Sequence, residues 1–329
     1  MELNAAIEKQ FRETEETLLS ACKAVDADRI FVVTDSGVAP MVSSLLKDCP
    51  RLVIGQGDEN KTLAGAEIIW RFLIDNCAVR RSVLVNIGGG MVSDLGGFAA
   101  ATFKRGIRYV NLPTTLLAAV DASIGGKTAV NFAGIKNEIG AFAMPLTVLP
   151  LTTLFPFLPE QEWLSGVGEA VKTALLVSED LFRMATSDSF VIERRAETVK
   201  EVTKRCADFK SRIVEEDFRE EGKRKILNLG HTAGHGIEAW SMAKGRPIPH
   251  GIAVAYGLRH ALGRSVKEAG LPPRIAEMYE EFLEKRFPPL KLSDEDWKEI
   301  TKYMAHDKKN RIPGVPEWVL LKNFGDPVI

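Results

Sequence analysis

Over the first 150 residues, short apolar runs alternate with helical patterns. RIFVVTD (29–35), RLVIG (51–55), SVLVNIG (82–88) and YVNLP (109–113) are rich in β-branched residues and end on Gly, Asp or Pro. Between them, AGAEIIWRFLIDNC (64–77) repeats its apolar positions at helical spacing. Such alternation predicts a mostly parallel sheet with helices on its faces. The character changes near 150–160, where VLPLTTLFPFLPEQEW carries three prolines and reads as a crossing segment. From 160 to 306 helical periodicity dominates, as in SGVGEAVKTALLV, ERRAETVKEVTKRCADFKSRIV and RIAEMYEEFLEKRF. VPEWVLLKNFG adds a small strand at the end. The expected division is an α/β domain over 1–155 and a helical domain over 156–329. Ligands of open α/β sheets sit beyond the carboxyl ends of the strands. A helical domain facing those ends would make a small-molecule cleft.

Composition excludes several classes. The 43 basic and 44 acidic residues nearly cancel, giving a formal charge of −1 and no basic stripe for nucleic acid. The four cysteines, Cys22, Cys49, Cys77 and Cys206, are scattered without a CxxC pair. That argues against a zinc ribbon, an iron–sulfur cluster or a disulfide framework, and fits reduced thiols in the cytoplasm. MELNAAIEKQFRETEETLL is charged and reads as a helix, not a signal peptide. No apolar run approaches the ~20 residues of a membrane span.

Candidate chemistry begins with the histidines. Three of the five, His231, His235 and His250, fall within twenty residues. In NLGHTAGH the first two are four apart, which on a helix places them on one face. Arg224, Asn228, His231 and His235 continue steps of four, three and four, so three or more could share a helical face. In GVGEAVKTALL, Glu169 and Lys172 lie three apart on an otherwise apolar helix. Buried charges need partners, either each other or a metal and a ligand. Two histidines and a carboxylate suit a zinc site with an open position. Spacing leaves open which histidines ligate, and Glu238, three residues after His235, is a rival carboxylate.

The first half offers loops for anions. GGGMVSDLGG (88–97) follows a strand and enters a helix. Its glycines permit close backbone approach, and the helix N-terminus offers free amides to a phosphate. In GDENKT (57–62), Asp58 could accept from ribose hydroxyls and Lys61 could contact an anion. LPTTLLAAVDASIGGKTAVNFAGIKNEIGAF (112–142) places Thr114, Thr115, Asp121, Lys127, Lys136 and Asn137 in an apolar frame. Gly125, Gly126 and Lys127 suggest a cation held close to backbone that can contact an anion, and so dense a set of polar groups favours this over a structured loop with solvated charges. IGGKT is not a Walker A loop, because the required first glycine falls at Asp121.

Taken together, these segments resemble 3-dehydroquinate synthases across nearly the whole chain. The resemblance rests on GGGMVSDLGGFAAATFKRG, LPTTLLAAVDASIGGKT, GIKNEIGAF, GEAVKTALL, LNLGHTAGHGIE and HGIAVAYG, in order. It implies a Rossmann-like NAD-binding α/β domain followed by an all-α, metal-binding domain, in a cytoplasmic homodimer of the shikimate pathway. The implied ligands of a zinc or cobalt ion are Glu169, His231 and His250. Arg105, Asp121, Lys127, Asn137, Lys172, Lys210, Arg224, Asn228, His235 and one of Lys308 and Lys309 would surround the sugar phosphate. Asp58, Lys61, Gly89, Gly90, Asp94, Thr114, Thr115 and Lys136 would contact NAD. The implied reaction oxidises C5 of 3-deoxy-D-arabino-heptulosonate 7-phosphate, eliminates phosphate, restores the hydride and closes the ring as an aldol. His235 would handle the proton of the C5 hydroxyl. Asp58, Gly37 and Phe157 depart from the family pattern, all at the NAD end. Alternatives are another sugar-phosphate cyclase of inosose or valienone type, a non-catalytic relative, or an NAD-dependent alcohol dehydrogenase.

Overall fold

A computed structural model of the chain describes residues 2–305, 312 and 314–329; Lys308 and Lys309 lie outside the described residues. The chain divides into two compact units, Met1–Leu158 and Pro159–Ile329.

In the first unit, helix α1 (Glu2–Ala24) precedes strands β1 (Ile30–Asp35) and β2 (Arg51–Ile54). Helix α2 (Leu63–Asp75), strand β3 (Val83–Gly88), helix α3 (Gly90–Thr102) and strand β4 (Arg108–Pro113) follow. The four strands form one parallel sheet in the order β2-β1-β3-β4. Successive side chains of a strand face opposite ways, and both faces here are apolar. Phe31, Val33 and Leu84 join the core of α2 and α3, whereas Val32, Val83, Val85 and Ile87 join Phe11 and Leu18 of α1. Burial on both faces is why these strands read as unbroken apolar runs. Each such Val, Leu or Ile stabilises the fold by about 1.5–3 kcal/mol.

The polar segment that follows β4 is built of regular elements. After β4 the chain makes a π-helical turn at Ala118–Ala122. It then forms an antiparallel hairpin, β5 (Lys127–Phe132) with β6 (Ile135–Phe142). β5 seats against α3, where a side chain on Gly97 would meet Thr128 Cγ2 at 2.6 Å.

The second unit is helical. Its helices are α4 (Glu160–Val177), α5 (Glu179–Ala185), α6 (Asp188–Val191), α7 (Ala196–Glu216), α8 (His231–Ala243), α9 (His250–Glu268), α10 (Pro273–Arg286) and α11 (Asp294–Ala305). A small antiparallel pair, β7 (Leu320–Asn323) and β8 (Asp326–Val328), ends the chain. Every residue of α4 from Trp163 to Leu176 is buried, which carries Glu169 and Lys172 into the interior. The helical face expected across 224–235 is interrupted. Residues Lys223–Asn228 form a 3-10 helix, and Gly230 turns left-handed (φ 77°) before α8 begins at His231. Arg224 and Asn228 therefore do not continue the face of His231 and His235.

Candidate functional site

Three glycines bring the second unit's site together. A side chain on Gly168 would meet the Gly251 carbonyl oxygen at 2.1 Å, and one on Gly251 would meet the Ser165 carbonyl oxygen at 1.8 Å. Gly251 N–H donates to Ser165 Oγ at 3.0 Å. Gly257 of α9 lies as close to the Gly230 carbonyl, at 2.0 Å for an added Cβ. Each of Gly168, Gly230 and Gly251 adjoins a candidate ligand, respectively Glu169, His231 and His250. Backbone contact between α4, α8 and α9 thus converges three side chains from distant segments.

The resulting geometry is specific. Glu169 Oε1 lies 3.5 Å from His231 Nε2 and 3.3 Å from His250 Nε2. Its other oxygen, Oε2, pairs with Lys172 Nζ at 2.6 Å, one turn along α4. Carboxylate and ammonium are both almost wholly buried, and breaking such a pair typically costs about 3–5 kcal/mol. The far nitrogens of the rings are held too. His250 Nδ1 lies 2.9 Å from Glu238 Oε2, and His231 Nδ1 lies 3.2 Å from the Leu229 carbonyl oxygen. Both oxygens accept, so each Nδ1 carries a proton, and each Nε2, turned toward Glu169, would give its lone pair to a cation on losing its own proton. Glu238, the rival carboxylate, stands behind His250.

His235 completes a group of three imidazoles whose ligand atoms all lie within 4.8 Å of one another. Its ring centroid is 5.2 Å from that of His231 and 5.7 Å from that of His250. Burial opposes a charge on His250, yet Glu169 and Glu238 prevail and raise its pKa to about 9. The pocket favours positive charge, and its imidazole and carboxylate donors suit zinc, cobalt or a similar divalent ion.

Elsewhere in the second unit, Lys210 of α7 and Arg224 are buried. Arg224 donates to the Phe218 carbonyl at 2.6 Å, and Asn228 donates to Glu220 Oε1 at 2.8 Å. Glu220 was not singled out in the sequence, because one acid in a charged stretch carries no distinguishing pattern.

The first unit places Asp58, Lys61, Gly89, Gly90, Thr114 and Thr115 just beyond the carboxyl ends of its strands. β1 and β3 are neighbours from which the strand order runs in opposite directions, the usual position of a ligand crevice. Gly88 ends β3 and Gly89 caps α3. A side chain on Gly88 would come within 3.1 Å of Asp35 Oδ2, and one on Gly89 within 3.2 Å of Thr115 Cγ2. Thr114 N–H donates to the Gly88 carbonyl at 3.0 Å. The Thr34 and Thr114 hydroxyls are buried without a hydrogen-bond partner in the protein. Asp35 and Thr34 were missed in the sequence, since they close an ordinary strand. Asp35 accepts from Gly37 N and Val38 N at 2.9 and 3.1 Å. The departure at Gly37 has a structural counterpart: the space of a side chain there is occupied by Gln56.

Lys61 binds Asp94 at 2.9 Å and lies 3.7 Å from Asp58, which accepts from Asn131 at 3.0 Å and lies 3.9 Å from Lys136. Asp121 lies in the π-helical turn, a form of helix often found at functional sites. Lys127 and Asn137 lie exposed on the hairpin. Arg105, exposed and left-handed (φ 66°), takes no part in these contacts.

Comparison with known proteins identifies the family. Two family models match consecutive stretches, 3-dehydroquinate synthase N-terminal over residues 51–165 and 3-dehydroquinate synthase C-terminal over residues 166–310. A 3-dehydroquinate synthase of Parabacteroides distasonis is 40% identical over 306 residues, covering 91% of this chain and 86% of the relative. One of Clostridium tetani is 34% identical over 307 residues, covering 91% and 81%. Among solved structures, a 2-deoxy-scyllo-inosose synthase complexed with carbaglucose-6-phosphate, NAD+ and Co2+ superposes with a TM-score of 0.80 at 27% identity, covering 92% and 85%. ValA, a 2-epi-5-epi-valiolone synthase from Streptomyces hygroscopicus with NAD+ and Zn2+ bound, shares the fold at a TM-score of 0.78 and 20% identity, covering 91% and 86%.

Proposed function

Because the chain belongs to the 3-dehydroquinate synthase family, we propose that it converts 3-deoxy-D-arabino-heptulosonate 7-phosphate to 3-dehydroquinate and phosphate. It is an NAD- and divalent-cation-dependent lyase. The observation that carries the reading is the meeting of the His231 and His250 Nε2 atoms at one oxygen of Glu169, with both rings fixed from behind.

When bound, NAD supplies a hydride acceptor regenerated within each cycle, and the cation supplies a Lewis acid for substrate oxygens. Glu169, His231 and His250 hold the cation. His235, beside them, holds or moves the proton of the C5 hydroxyl. Lys172, Lys210, Arg224 and Asn228 bind the substrate, the last three at its carboxylate end. Arg105, Lys127, Asn137 and one of Lys308 and Lys309 serve its phosphate, which needs several positive donors. Asp121 orients a hydroxyl. Gly89, Gly90, Thr114 and Thr115 carry the nucleotide, supported by the backbone approach at the end of β3 and the unpartnered Thr114 hydroxyl. Asp58, Lys61, Asp94 and Lys136 form the charged group that fixes its orientation, supported by their mutual contacts.

A cytoplasmic homodimer is part of the proposal. All four cysteines are free thiols. Among the described residues no helix is long and apolar enough to cross a membrane. Exposed Phe132, Ile135, Phe142 and Met144 along the hairpin give a second copy apolar surface to cover. The deciding experiment is phosphate release from the heptulosonate phosphate, with and without chelator and restored metal. Metal-dependent phosphate release with dehydroquinate as product and no net NADH is expected. A different carbocycle would assign the chain to another cyclase, and net NADH release would make it a dehydrogenase.

A further inference from the structure

The turn that follows α7 is organised around one carboxylate. Asp217 caps that helix, its own N–H donating to the Ile213 carbonyl at 3.1 Å. Its Oδ1 accepts from Glu221 N–H at 3.0 Å, and its Oδ2 accepts from Gly222 N–H at 2.8 Å and Arg224 N–H at 2.9 Å. Three amides within four residues thus wrap onto one side chain. Partial desolvation works against the charge, but these three donors, with the Arg224 guanidinium nearby, hold the Asp217 carboxyl below its ordinary range.

Two residues assigned to substrate binding depend on this turn. Arg224 has its amide tied to Asp217, and its guanidinium donates to Phe218 within the same turn. Asn228 donates to Glu220, which sits in the turn with left-handed backbone (φ 61°), a conformation a side-chain-bearing residue adopts only when its surroundings impose it. We propose that Asp217 is a positioning residue for the sugar-phosphate substrate: it touches no substrate but sets the backbone from which Arg224 and Glu220 project. An arginine on an anchored backbone loses less freedom on binding an anion than one on a loose loop. Both carboxylate oxygens are in use, so asparagine can keep only part of the pattern. This inference rests on the proposed roles of Arg224 and Asn228.

The test compares D217A, D217N, R224A and K223A in the metal-loaded enzyme. The readouts are KM for heptulosonate phosphate, KM for NAD, metal content and amide hydrogen exchange. D217A is expected to lower kcat/KM for the sugar phosphate by about ten- to a hundredfold. Metal content and the KM for NAD should stay at parental values, while amides 221, 222 and 224 lose protection. D217N should recover part of both effects. K223A removes the exposed partner of Glu216 beside the same turn and should change neither. If D217A exposes those amides yet keeps kcat/KM within twofold, Asp217 does not position the site and the inference falls. If D217A lowers metal content and NAD binding as much as substrate binding, the role is general stability and the inference falls likewise. Should D217A not fold, D217N decides on the same readouts. An R224A enzyme with parental kinetics would overturn the role of Arg224 itself, and this inference with it.

Discussion

Gly168 and Gly251 meet so closely that a Cβ on the first would stand 2.1 Å from the carbonyl oxygen of the second. Glu169 and His250 follow and precede them in the chain, so the distance between two candidate metal ligands is set by backbone contact. Gly251→Ala should push α4 from α9, destabilise the fold by about 1–3 kcal/mol and release the metal. Gly263→Ala is the control on the same helix. A side chain there meets nothing within 4 Å, so stability should hold or rise. Metal content by elemental analysis and thermal unfolding check both. A G251A protein with full metal would remove the glycine contact as the cause of convergence.

The ligand set predicts a division among neighbouring histidines. His231→Ala and His250→Ala should lose metal, whereas His235→Ala should keep metal and lose rate. Because all three rings lie within one cluster, loss of metal from the His235 variant would place that residue among the ligands. Glu238→Gln should weaken metal affinity by about ten- to a hundredfold without abolishing it. Competition with a calibrated chelator measures each value.

A buried polar chain in the first unit should prove costly to cut. Asn86 donates to Asn111 Oδ1 at 3.0 Å, and Asn111 donates to the Ser123 carbonyl at 3.0 Å, just beyond the π-helical turn. Asn86 fits only because residue 96 is glycine, since an added Cβ there would meet Asn86 Oδ1 at 1.9 Å. Asn111→Leu would strand a donor and an acceptor in the core. The expected loss is about 2–4 kcal/mol, read as a lower urea midpoint at unchanged slope. A variant within 0.5 kcal/mol of the parent, the scatter typical of surface sites, would show the chain to be dispensable.

Acid stability carries a signature of His260. Burial, aided by Arg259, lowers its pKa from 6.5 to about 4, and its ring packs 4.2 Å from that of Trp297. The unfolded chain therefore binds the proton first as pH falls. The contribution of neutral His260 is whole above about pH 6.5 and is lost progressively toward about pH 4. His260→Gln should flatten the stability curve across that window. A parallel curve for the variant would place the acid sensitivity elsewhere.

Strands β1, β3 and β4 were legible because burial on both faces leaves an unbroken β-branched run. The β5–β6 hairpin was not, since exposed Lys127, Lys136 and Asn137 obscure any alternation. The helical period across 224–235 misled for a local reason: Gly230 resets the backbone between two helices. In the candidate metal site, the pairing of His231 with His235 was visible from spacing. The meeting of His231 with Glu169 and His250 was not, because spacing says nothing of helix packing, and the ligand set came from family resemblance. A signal was nonetheless present, in the glycine beside each of Glu169, His231 and His250.

The rings of His231 and His250 are held from behind by different acceptors, a neutral carbonyl and a carboxylate. An anionic neighbour draws the Nδ1 proton toward itself and makes Nε2 the richer electron donor. The two imidazoles are therefore unequal in bond strength toward a cation. A cation held between these rings would lean on His250 more than on His231, an asymmetry written into the acceptors behind them.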